Sequence, residues 1–219
     1  MLTGPAGRLE ALLWSKPELE GGLGPPLASV VCHPHPRYGG TMHNKVVYQT
    51  AKTLHRFGLP VLRFNFRGVG LSEGSYDKGR GEVEDAVAAL DFLAAEYPDV
   101  PLLLAGFSFG SWVGLRAGCA DSRVTELIGL GLPVGHREFP YFELCEKPKL
   151  LVSGELDQYG PPKGLQALVA QFSPRIKEQT SVTIIPGADH FFAGHLPELD
   201  SAIATWLVNQ HPALTASEA

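Results

Sequence analysis

The sequence predicts an α/β fold, a mostly parallel central sheet flanked by helices on both faces. Three observations carry that expectation. Short apolar runs of strand length alternate along the chain with longer segments of helical pattern, which places helices between successive strands. Each run is bounded by Gly or Pro, and the chain holds 25 Gly and 18 Pro, so tight turns are expected throughout. Its 219 residues, 44% of them hydrophobic, suit one core, so residues 1–219 are expected to form a single domain.

The elements follow in order. Arg8 to Trp14 reads as an edge hairpin strand, and Glu20 to Pro26 (EGGLGPP) as a loop to the main body. Strands are predicted at Leu27–Cys32, Pro60–Phe66, Pro101–Gly106, Val124–Leu132, Lys149–Ser153 and Ser181–Ile185. Helices are predicted at Asn44–Phe57, Glu82–Tyr97, Phe109–Cys119, Gly164–Phe172 and Pro197–Gln210. In the second helix Val83, Val87, Leu90 and Ala94 recur at helical spacing, and acids sit at its start, where the helix dipole favours them.

Composition narrows the function. A net charge of −5 lacks the basic field that drives binding to a phosphate backbone, so no nucleic-acid partner is expected. No apolar stretch approaches a membrane span, and Met1 to Trp14 does not read as a secretory signal. Three widely spaced cysteines (Cys32, Cys119, Cys145) argue against a disulfide framework and fit a reducing cytosol, so a cytoplasmic location is expected.

Ligands of parallel sheets bind beyond the carboxyl ends of the strands, so the residues after each strand matter most. After Pro101–Ala105 comes Gly106-Phe107-Ser108-Phe109-Gly110, a G-x-S-x-G whose small residues allow a strained turn that lifts Ser108 above the sheet. After Lys149–Ser153 an acid, Asp157, occupies the strand-end loop, and after Ser181–Ile185 a histidine, His190, occupies the next. The order Ser, Asp, His is that of an α/β-hydrolase triad. The chemistry requires all three groups. A serine hydroxyl is a feeble nucleophile until an imidazole takes its proton, and a carboxylate must hold that imidazole in one tautomer. Glu155 and Asp189 compete with Asp157 for the acid role, but Glu155 points elsewhere on an extended strand end and Asp189 adjoins the histidine. The oxyanion formed on attack needs N–H donors. Phe109 supplies one. The second is expected from His33 to Gly40, where Pro34 and Pro36 have no N–H, so His35 leads, with Tyr38 or Gly39 behind it.

The chain resembles an α/β-hydrolase across nearly its whole length. More narrowly, HPHPRYGGTMHNKVV, RFNFRGVGLSEG, GFSFGSWVG and PGADHFF resemble a bacterial group of small, lidless serine esterases related to dienelactone hydrolases. Dienelactone hydrolases proper carry a cysteine nucleophile where this chain has Ser108, a departure that favours ester hydrolysis. The resemblance also implies that FRGVGLSEG is a strand-end turn beside the active site.

Other readings weigh less. In FRGVGLSEG the third glycine of a dinucleotide fingerprint is displaced, because Glu73 stands where Gly is wanted. His33, His35 and His43 suggest a metal, but prolines flank His35 and no carboxylate follows at ligand spacing, so no metal and no cofactor are expected. His33 is expected to pack or hydrogen-bond beneath the oxyanion loop. None of the cysteines sits in an elbow. Among the aromatics, Tyr38, Tyr159 and Phe191 are candidates for the substrate pocket, with Phe139 to Phe142 as further possibilities. Only Val134 to Lys147 lies between Leu132 and the next strand, too little for a cap. An open site, a small-molecule ester substrate and a serine carboxylic-ester hydrolase are therefore expected. A thioesterase, lactonase or peptidase on the same residues is the alternative, and a catalytically silent binding protein of the same fold is the alternative from another class.

Overall fold

The computed structural model describes residues 1–15 and 25–214. Among these lie β1 (Leu2–Gly4), β2 (Gly7–Leu9), β3 (Ala11–Trp14), β4 (Ala28–Cys32), α1 (Lys45–Arg56), β5 (Val61–Phe64), α2 (Arg80–Glu96), β6 (Leu102–Phe107), α3 (Phe109–Ala120), β7 (Val124–Leu130), β8 (Lys149–Gly154), α4 (Pro162–Ala170), α5 (Pro174–Glu178), β9 (Thr180–Ile185) and α6 (Leu196–Gln210). Seven strands form one sheet in the order β3-β5-β4-β6-β7-β8-β9, parallel except for β3. This is the α/β-hydrolase architecture, and among the described residues no cap domain interrupts it.

Alternation along the strands builds a core on each face of the sheet. Leu102 and Leu104 of β6 face one side with Leu90 of α2 and Leu115 of α3. Leu103 and Ala105 face the other, with Val47 of α1 and Ile203 of α6. Successive side chains point to opposite faces, so a strand buried on both must be apolar at every position, as β4, β5 and β6 nearly are.

Three details depart from the expectation. Arg8 to Trp14 is not one strand. Its first part pairs with Leu2–Gly4 in a separate two-stranded sheet, and Ala11–Trp14 runs antiparallel to β5 at the edge of the main sheet. On α2 the buried face is Ala86, Ala89, Leu90 and Leu93, while Val87 is exposed. Small alanines let the helix sit close to its neighbours, and Asp85 joins that face because a bidentate pairing with Arg67 compensates its burial. The short α5 was not expected either; Ser173 caps it by accepting from the Ile176 N–H. The loop expected at Glu20 to Pro26 lies largely outside the described residues. Among the described residues no helix is long and apolar enough to cross a membrane.

Candidate active site

The sheet order brings the key loops together. The loop after β4 lies beside the turn after β6, and the loops after β8 and β9 are neighbours. Ser108 sits between β6 and α3 at φ 53°, ψ −118°, a left-handed conformation that L-residues rarely adopt. The flanking glycines make the turn possible. A Cβ at Gly106 would collide with the Gly110 carbonyl oxygen, and one at Gly110 with the Cys32 carbonyl oxygen.

Ser108 Oγ lies 3.0 Å from His190 Nε2, and His190 Nδ1 lies 2.8 Å from Asp157 Oδ2. A carboxylate only accepts, so Nδ1 carries the proton and Nε2 presents its lone pair to the serine. Asp157 is itself fixed: its Oδ1 accepts from the main-chain N–H of Tyr159 and of Gly160, both at 2.8 Å. The two loops are tied by Leu156 N–H donating to Ala188 C=O. The His190 ring is packed by Phe107, Tyr159 and Phe191 at centroid distances of 5.3, 4.7 and 5.2 Å. His190 and Asp157 are buried and Ser108 is half-buried, so the serine faces the cleft with the histidine and the carboxylate behind it.

The competing acids are occupied elsewhere. Glu155 Oε2 accepts from the Gly187 N–H, and Asp189 Oδ1 from the N–H groups of Phe191 and Ala193.

Phe109 and His35 both line a cleft of about 500 Å³ around Ser108. Phe109 opens α3, where the first N–H groups have no partner within the helix. The His35 N–H donates to no protein acceptor among the described residues, whereas the Tyr38 and Gly40 N–H groups both donate to the His35 C=O. Gly39 and Tyr38 also line the cleft, but the Tyr38 N–H is thereby turned away from it.

Two histidines brace this loop without reacting. His33 Nδ1 donates to the Pro34 C=O at 2.6 Å and its Nε2 accepts from the Phe66 N–H at 3.0 Å. Burial pushes its imidazole down to about 4, so it stays neutral. His35 Nδ1 accepts from the Arg37 N–H, which leaves Nε2 to donate to the Tyr76 hydroxyl at 3.1 Å. Burial, then the charges of Arg137 and Arg37, lower the His35 value. With both ring nitrogens engaged, neither histidine has a lone pair free for a metal, and no cluster of three or more His, Cys, Asp or Glu suited to a metal occurs among the described residues.

Of the aromatics named from the sequence, Tyr38, Tyr159 and Phe191 line the cleft. Phe139 and Phe142 do not: they are buried and stack on each other 5.8 Å apart, and Phe172 packs against Phe142. The loop after β7 thus turns Phe139 and Phe142 into the core, and it gives the cleft Pro133 and, as its polar groups, His136 and Arg137. The sequence offered no signal for these two, for Asn44 or for Tyr76. Each is placed by tertiary packing rather than by a local motif.

A strained serine turn between strand and helix, with a histidine and an acid delivered from two later strand ends, is the arrangement of a hydrolase of the α/β class. Comparison with known proteins agrees. The family model Hydrolase_4, described as serine aminopeptidase, S33, matches residues 28–137. An uncharacterized protein of Rickettsia prowazekii is 37% identical over 210 residues, 94% of this chain and 86% of that one. Among solved structures, an α/β serine hydrolase without lid from Xanthomonas campestris superposes with a TM-score of 0.87 at 34% identity, covering 98% of this chain and 94% of that one. An α/β serine hydrolase homologue from Coxiella burnetii gives 0.83 at 38% identity, covering 93% and 94%. The chain belongs to this α/β-hydrolase family, and its likeness within it is to the lidless serine hydrolases.

Proposed function

We propose that this chain, working as a single domain, is a serine carboxylic-ester hydrolase acting on small acyl esters. The observation that carries the reading is the unbroken hydrogen-bond line from Ser108 Oγ through His190 to Asp157, opening onto an uncapped cleft. In this mechanism Ser108 Oγ attacks the ester carbonyl as His190 Nε2 takes its proton, and Asp157 stabilises the imidazolium that forms. The carbonyl oxygen gains negative charge and is held by the N–H groups of Phe109 and His35, the first aided by the positive end of α3. His190 then protonates the leaving alcohol. Water enters, His190 removes its proton, and the acyl-enzyme is hydrolysed. The groups named here move every proton and electron pair in the cycle.

A peptidase is the second reading, because the matching family model is described as serine aminopeptidase. The open cleft of about 500 Å³ favours short esters. The test is a panel of p-nitrophenyl esters from acetate to decanoate, with thioesters, lactones and aminoacyl p-nitroanilides, and Ser108→Ala as control. The proposal expects the highest kcat/KM on the shortest esters. Turnover that rises with chain length, or anilide cleavage exceeding ester cleavage, would overturn it.

A further inference from the structure

The cleft has a charge opposite to that of the protein. The chain carries a net charge of −5, yet among the described residues no aspartate or glutamate lines the cleft, and Arg137 does. Asp157 stands behind His190, buried, with both oxygens engaged.

Arg137 is not among the arginines of this protein that pair with a carboxylate. Arg8, Arg67, Arg123 and Arg175 each pair with a carboxylate. Arg137 has no acidic partner among the described residues; its guanidinium lies over the Trp112 ring, 4.5 Å from the centroid. That ring is fixed in turn by donation from Trp112 Nε1 to the Glu138 C=O at 3.2 Å. Stacking on an indole holds the planar fork in place and leaves its N–H edges free for a ligand. The fork is therefore preorganised at the rim of the cleft that holds Ser108. Its charge, with that of Arg37, reaches the oxyanion loop, where both lower the proton affinity of His35 after burial has done so.

We propose that Arg137 is a specificity residue that binds a carboxylate carried by the substrate, so that the preferred substrates are short esters bearing a second, acidic group, such as hemiesters of dicarboxylic acids. The match is geometric as well as electrostatic, since a guanidinium takes a carboxylate through two parallel N–H···O bonds. The inference rests on the reading of Ser108 as the nucleophile of an esterase.

The test compares monoethyl adipate with ethyl hexanoate, two ethyl esters of equal acyl length that differ in the distal carboxylate, by pH-stat titration. Because Arg137 is exposed, the gain belongs at the lower end of a charge-assisted hydrogen bond, about tenfold in kcat/KM. The native protein is expected to favour the hemiester by about that factor, and the ratio is expected to fall to near one in Arg137→Gln and to recover in part in Arg137→Lys. In the native protein added salt should also shrink the ratio, a readout that needs no folded variant. A native ratio near one with both esters turned over would overturn the anion proposal and leave the esterase reading standing. So would an unchanged ratio in a folded Arg137→Gln, which would mean that the preference arises elsewhere in the cleft. No turnover of either ester would remove the esterase reading and this inference with it.

Discussion

Replacing Asp157 by asparagine tests the orientation of His190 with almost no change in shape. In the native protein Oδ1 accepts two main-chain N–H groups, from Tyr159 and Gly160, while Oδ2 faces His190 Nδ1. An asparagine has one acceptor oxygen and one NH2. If the NH2 turned toward Tyr159 and Gly160, two N–H groups would lose their acceptor, at about 1–3 kcal/mol each where they are buried. The amide oxygen therefore stays with those N–H groups, and the NH2 faces His190 Nδ1. Nδ1 must then accept, the ring proton moves to Nε2, and Ser108 Oγ, 3.0 Å away, faces a donor in place of a base. A wrong tautomer of this kind costs about 10³–10⁴-fold in kcat. The assay is kcat on p-nitrophenyl acetate, with circular dichroism to verify the fold and ¹⁵N chemical shifts of His190 to report the tautomer. A folded Asp157→Asn protein within about tenfold of native activity would refute the argument.

Other outcomes follow from the same geometry. Ser108→Ala and His190→Ala should each lower kcat by about 10³-fold or more, and the double variant should lose little beyond either, because the two act as one unit; additive losses would contradict this. His33 should make the protein acid-sensitive. Its native value of about 4 lies below its ordinary 6.5, so between those pH values the unfolded chain binds more protons and stability falls as pH falls. The slope from this group is at most about 1.4 kcal/mol per pH unit, and it should vanish from urea-unfolding curves of His33→Gln; parallel curves for the two proteins would count against it. The backbone of Ser108, at φ 53°, should make Ser108→Gly more stable than Ser108→Ala by about 1 kcal/mol in denaturant unfolding, with both inactive. Equal stability would mean that the turn stores no strain.

Much of this was legible because parallel sheets place their chemistry at strand ends. The expected strands match the observed ones closely, since runs such as Pro101–Gly106 must be apolar throughout to be buried on both faces. The same logic placed Ser108, Asp157 and His190 at strand ends; β8 and β9 are neighbours, and the His190 ring reaches past the end of β7 to Ser108. His33 was expected to support the loop after β4, and its bond to the Pro34 C=O does so.

What stayed hidden depended on packing in three dimensions. The buried face of α2 uses alanines, which an apolar stripe of large residues does not reveal, and Val87, one of the residues at helical spacing, lies outside. Phe139 and Phe142 have the composition of a pocket wall, but their burial beside Phe172 is set by the path of the loop. Arg67 and Asp85 are 18 positions apart, and Tyr76 and His35 are 41 apart; no local pattern links either pair. Arg137 is one of several arginines in the sequence and stands out only once its neighbours are known.

The most direct test of the account is covalent capture of the nucleophile. A fluorophosphonate probe reacts with a serine that a neighbouring base has activated and leaves ordinary serines alone. The account predicts that the native protein is labelled at one position, that peptide mass spectrometry places the adduct on Ser108, and that Ser108→Ala is not labelled. A native protein that stays unlabelled, or an adduct on another residue that persists in Ser108→Ala, would contradict it.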